Sequence, residues 1–251
     1  MIELRNVVKR YGNLVVLDDI TLQIPTKQIT SFIGPNGAGK STLLSVISRL
    51  INMDSGEVVI DGRELRDWKD RDLARKISIL RQTNNISLKL TIRELVSFGR
   101  FPYSQGNLTS EDWAVVDQAL EYMKLIDIQD KYLHQLSGGQ RQRAYIAMVI
   151  AQDTDYVLLD EPLNNLDMQH AVEIMHILQS LVSQLGKTVV IVIHDINFAS
   201  CYSDNIVAMQ EGRVVQKGSP EKIIDQKVLG NIYNLNFQIE QINNQRICVY
   251  Y

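Results

Sequence analysis

Apolar and polar residues alternate over short stretches in the first quarter of the chain, and apolar residues then recur at helical spacing. The alternation predicts strands at Ile2 to Val8, Val15 to Leu17, Ile20 to Ile24 and Gln28 to Ile33. Turn-forming pairs separate these stretches at Tyr11-Gly12, Asp18-Asp19 and Pro25-Thr26. A glycine-rich turn then leads to Leu43, Leu44 and Ile47, whose spacing predicts a helix.

Strands and helices alternate through the rest of the chain. Further strands are predicted at Glu57 to Ile60, Ile77 to Leu80, Tyr156 to Leu159, Thr188 to Ile193, Asn205 to Met209 and Arg213 to Gln216. The helical stretches run from about Asn85 to Gln152 and from about Met168 to Leu185. Within the first of them, Thr91 and Glu94 have the spacing of a capping box at a helix start. Since such alternation produces parallel strands joined by crossover helices, we expect one α/β domain over 1–251 with a helical subdomain inserted at about 85–152. The last 30 or so residues show no strong pattern.

The composition is that of an ordinary globular protein. Of 251 residues, 45% are hydrophobic and 22% charged, and 26 basic against 29 acidic residues give a net charge of −3. This balance excludes a disordered chain and disfavours binding to nucleic acid. Two cysteines, Cys201 and Cys248, do not form a secreted disulfide scaffold, so a reducing cytoplasm is expected.

We expect the chain to carry neither an export signal nor a membrane span. Glu3 argues against a signal peptide, because such peptides begin with a basic and then an apolar region. The longest apolar runs, at 144–151 and 188–193, are far shorter than the roughly 20 residues that cross a bilayer. The chain by itself is therefore not expected to form a channel.

A phosphate-binding loop is predicted between the strand that ends at Ile33 and the helix that follows. The residues of this loop are Gly34, Pro35, Asn36, Gly37, Ala38, Gly39, Lys40 and Ser41. They match G-x-x-x-x-G-K-[ST], in which backbone N–H groups surround phosphates, the lysine reaches the β- and γ-phosphates, and the serine hydroxyl ligates Mg²⁺. Thr42 can also face the phosphates. A chance glycine-rich turn is disfavoured, because the strand before and the helix after are the context that the motif requires.

Two carboxylates end the apolar strand Tyr156 to Leu159. Asp160 and Glu161 emerge at the carboxyl end of this strand, where ligands bind in such sheets, and are expected to face the phosphate loop. Asp160 is placed to hold Mg²⁺ through its water shell, and Glu161 to polarise the attacking water as general base. The alternative is a polar strand end that faces solvent.

A second anion site is predicted at a helix start formed by Leu136, Ser137, Gly138, Gly139 and Gln140. Ser137 and Gln140 have capping-box spacing, and a helix N-terminus attracts phosphate. An ordinary helix cap would explain these residues equally well if they stood alone. An LSGGQ sequence between a phosphate loop and a Leu-Leu-Asp-Glu strand, however, resembles the ATP-binding cassette (ABC) family over nearly the whole chain.

This resemblance implies an α/β, P-loop NTPase-like nucleotide-binding domain with an N-terminal antiparallel β subdomain and an inserted helical subdomain. It implies an ATPase with ATP and Mg²⁺ as cofactors. Two cassettes would dimerise head to tail, so that each ATP lies between one phosphate loop and the partner's Ser137, Gly138, Gly139 and Gln140.

Single residues can be carried over from the family pattern. Tyr11 resembles the aromatic residue that stacks on adenine, Gln82 the glutamine that senses Mg²⁺ and the permease, and His194 the switch histidine on the γ-phosphate. Asp167, with Leu166, resembles the loop that couples the two sites of the dimer. A lone tyrosine, glutamine or histidine is otherwise usually a core or surface residue. One departure from the family pattern is Leu163-Asn164-Asn165.

The helical insert narrows the branch of the family. Phe98-Gly99-Arg100-Phe101-Pro102-Tyr103 is similar to a Gly-Arg-x-Pro-aromatic segment of importers for iron-siderophores, haem and cobalamin. A helix end broken by Gly99 and Pro102 is the alternative. Together with the stretch from Leu90 to Gly106 and the segments Leu163 to Asp167 and His194 to Ala199, the resemblance favours iron(III)-siderophore import of the petrobactin and catecholate type. The histidines show no metal-ligand cluster, so iron would be carried by other subunits.

The partners implied are a second copy of the chain, transmembrane permease subunits and, indirectly, an extracytoplasmic siderophore-binding protein. The chain would lie peripherally on the cytoplasmic face of a bacterial membrane. We expect Gln82, Arg100 and Tyr103 to border the groove that receives a cytoplasmic permease helix. The alternatives are an importer ATPase for haem, cobalamin or another metal chelate, an exporter subunit, and a non-transport ABC ATPase, which usually carries two cassettes or long coiled coils.

Overall fold

The structure, a computed structural model, describes residues 1–82, 88–164 and 166–250. The strands are β1 Ile2–Tyr11, β2 Leu14–Ile24, β3 Ile29–Ile33, β4 Ser55–Ile60, β5 Arg63–Glu64, β6 Ile77–Leu80, β7 Tyr156–Asp160, β8 Thr188–Val192, β9 Asn205–Gln210, β10 Arg213–Gly218, β11 Gln238–Ile242 and β12 Gln245–Val249. The helices are α1 Lys40–Ile47, α2 Asp70–Lys76, α3 Ile92–Ser97, α4 Phe101–Ser104, α5 Ser110–Tyr122, α6 Gly138–Ala151, α7 Met168–Ser183, α8 Ile196–Tyr202, α9 Pro220–Ile223 and α10 Gln226–Tyr233. Asn85, where the predicted insert begins, and Asn165 lie outside the described residues.

The chain divides into two compact units. Unit 1 comprises Met1–Trp68 and the chain from Thr188 onward, and unit 2 comprises Lys69–Lys187. The predicted helical insert falls within unit 2, together with β6, β7 and α7. The expectation of one domain with an insert at about 85–152 stays a prediction.

Unit 1 contains an antiparallel sheet and a mainly parallel one. The antiparallel sheet has the order β2-β1-β4-β5. In the other sheet β3 pairs in parallel with both β8 and β9, and β10 pairs antiparallel with β9. Every residue of β3 and of β8 is buried, as continuous apolar runs in parallel sheets require.

The predicted turn at Asp18-Asp19 is wrong, because β2 continues through both residues. Asp19 has a φ of 56° within the strand, and its Oδ1 accepts a hydrogen bond from Nδ2 of Asn6 at 2.7 Å. The N–H of Asp18 donates to the carbonyl oxygen of Gly212 at 2.8 Å, and its Oδ2 accepts from Nε of Arg213 at 2.8 Å. The two acids therefore belong to an irregular strand held by the neighbouring β9–β10 hairpin.

In unit 2, capping boxes fix where the helices begin. Oγ1 of Thr91 accepts from the N–H of Glu94 at 3.2 Å, and Oε2 of Glu94 accepts from the N–H of Thr91 at 2.7 Å. Thr109 and Asp112 repeat this arrangement at the start of α5. Both boxes satisfy N–H groups that a helix start leaves unpaired. The box predicted at Thr91 and Glu94 is confirmed.

Candidate nucleotide and coupling sites

The first residue of the phosphate loop in unit 1, Gly34, lies against the backbone of β9. Gly34 has a φ of +139°, and a Cβ on it would lie 2.0 Å from the carbonyl oxygen of Met209, so only glycine fits there. Nζ of Lys40 donates to the carbonyl oxygens of Gly34 at 2.7 Å and of Pro35 at 2.9 Å. The loop therefore curls around a lysine that is 5% exposed.

The middle of this loop faces solvent while its ends are buried. Asn36 and Gly37 are exposed, and Ala38, Gly39 and Lys40 are buried. Gly39 is the N-cap of α1 and offers no side-chain oxygen to the first turn of the helix. An exposed turn of backbone leading into a helix N-terminus, with a buried ammonium, suits a phosphate group.

Two other predicted nucleotide residues of unit 1 are accessible. The ring of Tyr11 is at the end of β1, is 53% exposed, and lies 5.4 Å from Nζ of Lys9. His194 is exposed and lies between the end of β8 and the start of α8. Both side chains can therefore reach a ligand.

In unit 2, Gln82 and Glu161 meet although 79 positions separate them in the sequence. Nε2 of Gln82 donates to Oε2 of Glu161 at 2.6 Å, and Nδ2 of Asn164 donates to the same oxygen. Glu161 has a φ of 51°, so the chain turns sharply directly after β7. The sequence predicts no catalytic role for Asn164, whereas the structure places its amide on the Glu161 carboxylate.

The oxygen donors predicted for magnesium fit that ion. Asp160 ends a fully buried strand and is itself 8% exposed. Mg²⁺ prefers carboxylate and hydroxyl oxygens and keeps water and phosphate oxygens in its shell, which suits Asp160, Ser41 and the amide oxygen of Gln82. Within the described ranges, no cluster of three or more His, Cys, Asp or Glu residues could hold a metal.

The signature segment, Leu136 to Gln140, forms the predicted capping box at the start of α6. Oγ of Ser137 accepts from the N–H of Gln140 at 3.2 Å, and Oε1 of Gln140 accepts from the N–H of Ser137 at 3.2 Å. Nε2 of Gln142 donates to the carbonyl oxygen of Pro162 at 2.9 Å. The helix that carries the signature is thus tied to the segment that follows Glu161.

Asp167 caps α7 and pairs with a histidine that the sequence analysis did not single out. Oδ1 of Asp167 accepts from the N–H of His170 at 2.9 Å, and Nδ1 of His170 lies 2.7 Å from that oxygen. The backbone N–H of His170 and then its ring lower the pKa of Asp167. A Cβ on Gly139 would lie 3.6 Å from the ring of His170, so this ring lies beside the signature segment. The Asp-x-x-His spacing at a helix start was the available signal.

The prediction that Arg100 borders a surface groove is wrong, because Arg100 is 7% exposed. Its Nε donates to Oδ1 of Asp112 at 2.9 Å, its NH1 donates to the carbonyl oxygen of Ala151 at 2.9 Å, and the guanidinium lies 3.9 Å from the ring centroid of Tyr103. A Cβ on Gly99 would lie 2.2 Å from the carbonyl oxygen of Met148. This Gly-Arg pair is therefore a packing element.

We expect Arg100→Met to destabilise the protein by about 3 kcal/mol, because it leaves the Asp112 carboxylate buried without its cation. Arg66→Met is the control, since the Arg66 side chain is 76% exposed in its pair with Glu64. The N–H of Thr109 and, less strongly, Arg100 lower the pKa of Asp112. The stability that ionised Asp112 contributes to folding is therefore present at pH values above the ordinary carboxyl pKa and is lost as the pH falls through the lowered pKa of Asp112. Urea unfolding at neutral pH measures it, and equal stability of the two variants would contradict the packing role.

Comparison with known proteins identifies the class. The profile of the ABC transporter family matches residues 17–164. The chain belongs to this family, and the sequence predictions of its fold and of an ABC-type ATPase are confirmed. A dimeric bacterial ABC transporter cassette has a similar structure, with a TM-score of 0.79 and 34% identity over 88% of this chain and 99% of that one.

Two relatives with high sequence identity are petrobactin import ATP-binding proteins. The petrobactin import ATP-binding protein YclP of Bacillus subtilis is 64% identical over 100% of both chains. The petrobactin import ATP-binding protein FatE of Bacillus anthracis is 46% identical over 95% of this chain and 96% of its own. A putative metal-chelate ABC transporter in an inward-facing conformation shares the fold, with a TM-score of 0.84 and 23% identity over 99% of this chain and 97% of that one.

Across the residues that the structure covers, no helix is both long and apolar enough to traverse a bilayer.

Proposed function

We propose that this protein is the ATP-hydrolysing subunit of an iron(III)-siderophore importer. The observation that carries the proposal is identity of 64% along the whole chain with a petrobactin import ATP-binding protein. A ferric enterobactin transport ATP-binding protein of Escherichia coli, 38% identical over 91% of this chain, supports the same class of cargo. Which siderophore is carried would be decided by the permease and the binding protein.

The nucleotide would be held by residues of unit 1. The backbone from Gly34 to Gly39 surrounds the phosphates, and Thr42 contacts them. Lys40 exchanges the two loop carbonyls that it now contacts for β- and γ-phosphate oxygens. Tyr11 stacks on adenine with its exposed ring.

Hydrolysis would use the two carboxylates at the end of β7, Asp160 and Glu161. Glu161 orients a water molecule and takes its proton, while the amide groups of Gln82 and Asn164 hold its Oε2 in place. Ser41, Gln82 and, through its water shell, Asp160 would hold Mg²⁺, which would supply charge neutralisation at the phosphates. His194 donates a hydrogen bond to the γ-phosphate.

The working assembly would be a head-to-tail homodimer on transmembrane permease subunits, peripheral to the cytoplasmic face of the membrane. Ser137 to Gln140 bind the partner's nucleotide, and Asp167 couples the two sites. Phe98 is 47% exposed and Phe101 60% exposed, which supplies an apolar surface for a permease segment. Gln82 and Tyr103 belong to the same proposed surface, whereas Arg100 supports it from beneath.

We expect the ATPase rate of the importer in proteoliposomes to rise several-fold when an iron-siderophore-loaded binding protein is added. Cargo binding favours the closed dimer, and closure assembles the hydrolytic site, so turnover rises by a population shift. Haem-loaded and cobalamin-loaded binding proteins of other systems are the controls and should have no effect. Stimulation by one of these instead would transfer the protein to the corresponding importer class.

A further inference from the structure

The last segment of the chain forms ordered elements that have no assigned part in nucleotide binding or hydrolysis. It follows residues 17–164, which the family profile matches, and contains α10 and a hairpin of β11 and β12. The hairpin turn is Asn243-Asn244, with φ values of 49° and 63°. We call Gln238–Val249 the C-terminal hairpin.

One edge of this hairpin is held by the side chains of α8. The N–H of Cys248 donates to Oδ1 of Asn197 at 2.7 Å, and Nδ2 of Asn197 donates back to the carbonyl oxygen of Cys248 at 3.2 Å. One helical turn further on, Oγ of Ser200 donates to the carbonyl oxygen of Arg246 at 2.6 Å. In β12, the residues whose backbone groups bond to β11 alternate with residues whose backbone groups point away from it, and Arg246 and Cys248 are of the second kind. The side chains of Asn197 and Ser200 therefore pair with the edge of β12 that β11 leaves open.

The helix that holds the hairpin begins next to His194. Asp195 is its N-cap, and Oδ1 of Asp195 accepts from the N–H groups of Asn197 at 2.8 Å and of Phe198 at 3.0 Å. Asn197 therefore uses its backbone to fix the cap and its side chain to fix the hairpin. A shift of α8 would move His194, which precedes the cap by one residue.

Aromatic rings on both sides of the C-terminal hairpin connect it to the end of α10. The hydroxyl of Tyr233, the last residue of α10, is buried without a hydrogen-bond partner among the described residues, and burial raises the pKa of Tyr233 to about 12. The ring of Phe237 lies 6.0 Å from that of Tyr233 and 5.5 Å from that of Tyr250. The residues that flank the hairpin are therefore anchored to α10.

We propose that the C-terminal hairpin positions His194 for catalysis and that Asn197 is the positioning residue that links them. The proposal rests on the function assigned above to His194 at the γ-phosphate. The hairpin takes no part in the chemistry. It restricts α8 to the orientation in which the residue before the helix cap meets the nucleotide.

The test is a double-mutant cycle on the full-length importer in proteoliposomes. Asn197→Ala removes both hydrogen bonds to Cys248 and should lower kcat about 10-fold while KM for ATP stays within about two-fold. Ser200→Ala removes one hydrogen bond and should produce the same split with a smaller loss. Asn231→Ala, the same change at an exposed position of α10, is the control and should leave kcat unchanged.

The double variant Asn197→Ala with His194→Ala shows whether Asn197 acts by positioning His194 or whether its loss lowers activity independently of His194. If Asn197 acts through His194, the double variant has the kcat of His194→Ala alone. A wild-type kcat in Asn197→Ala, or a further 10-fold loss in the double variant, would overturn the positioning proposal and leave the role of His194 intact. A wild-type kcat in His194→Ala alone would overturn the role of His194 and this proposal with it.

Discussion

Replacement of Glu161 by glutamine is expected to lower kcat for ATP hydrolysis by about 10²–10⁴-fold, the usual contribution of a general base. The amide keeps the size of the side chain but does not accept the proton of the attacking water. ATP affinity should stay near the wild-type value, because no nucleotide contact is assigned to this residue. Since hydrolysis no longer opens the dimer, the ATP-bound dimer should accumulate.

Size-exclusion chromatography with ATP and Mg²⁺, alongside single-turnover hydrolysis, measures both effects. Glu121→Gln is the matched control, because Glu121 is an exposed glutamate of α5. Asn164→Ala adds a graded test, since it removes one of the two amide contacts to Oε2 and should cost less than the loss of the base. Wild-type turnover in Glu161→Gln would refute the assignment of the base.

Replacement of Lys40 by methionine should weaken ATP binding about 100-fold, while Glu161→Gln leaves it intact. A charge-assisted contact to phosphate contributes about 1.5–3 kcal/mol, and about 1.4 kcal/mol corresponds to a factor of ten in affinity. Methionine retains the apolar stem of the side chain but not its hydrogen bonds to the loop. What is lost is the ammonium group that now contacts the carbonyl oxygens of Gly34 and Pro35.

Isothermal titration with ATP on the folded variant gives Kd directly. Lys131→Met, at an exposed position, is the control for the loss of one positive charge. Thermal unfolding without nucleotide shows whether the loop has been disrupted. An unchanged Kd in Lys40→Met would mean that the phosphates bind elsewhere.

The local elements follow from the sequence because each depends on a few neighbouring residues. The capping boxes at Thr91 and Ser137 need only an acceptor and its partner three positions on, and both formed as predicted. The turns at Asp61-Gly62 and Glu211-Gly212 have positive φ at both residues, as such pairs favour. Asn243-Asn244 is also a turn-forming pair with positive φ at both residues. It was not predicted as a turn, because apolar and polar residues alternate only weakly in the strands on either side of it.

The sequence predictions were wrong where a residue type is compatible with two different local environments. Asp18 and Asp19 are turn formers, yet long-range hydrogen bonds to Asn6, Gly212 and Arg213 keep them within a strand. Arg100 has the charge of a surface residue, yet Asp112 and the carbonyl oxygen of Ala151 make its burial possible. In both cases, the deciding partners are distant in sequence.

The sequence by itself determined the motifs, the order of elements and the family, because backbone conformation and helix caps depend on residues that are adjacent or nearly so. Only the tertiary structure decided which side chains share a site: Gln82 and Asn164 on Glu161, His170 between Asp167 and Gly139, and Asn197 on Cys248. These contacts form because folding brings segments that are distant in the sequence to one place, where their polar side chains come within hydrogen-bonding distance of each other. A linear pattern records the residue types that can pair but not the neighbours that folding provides.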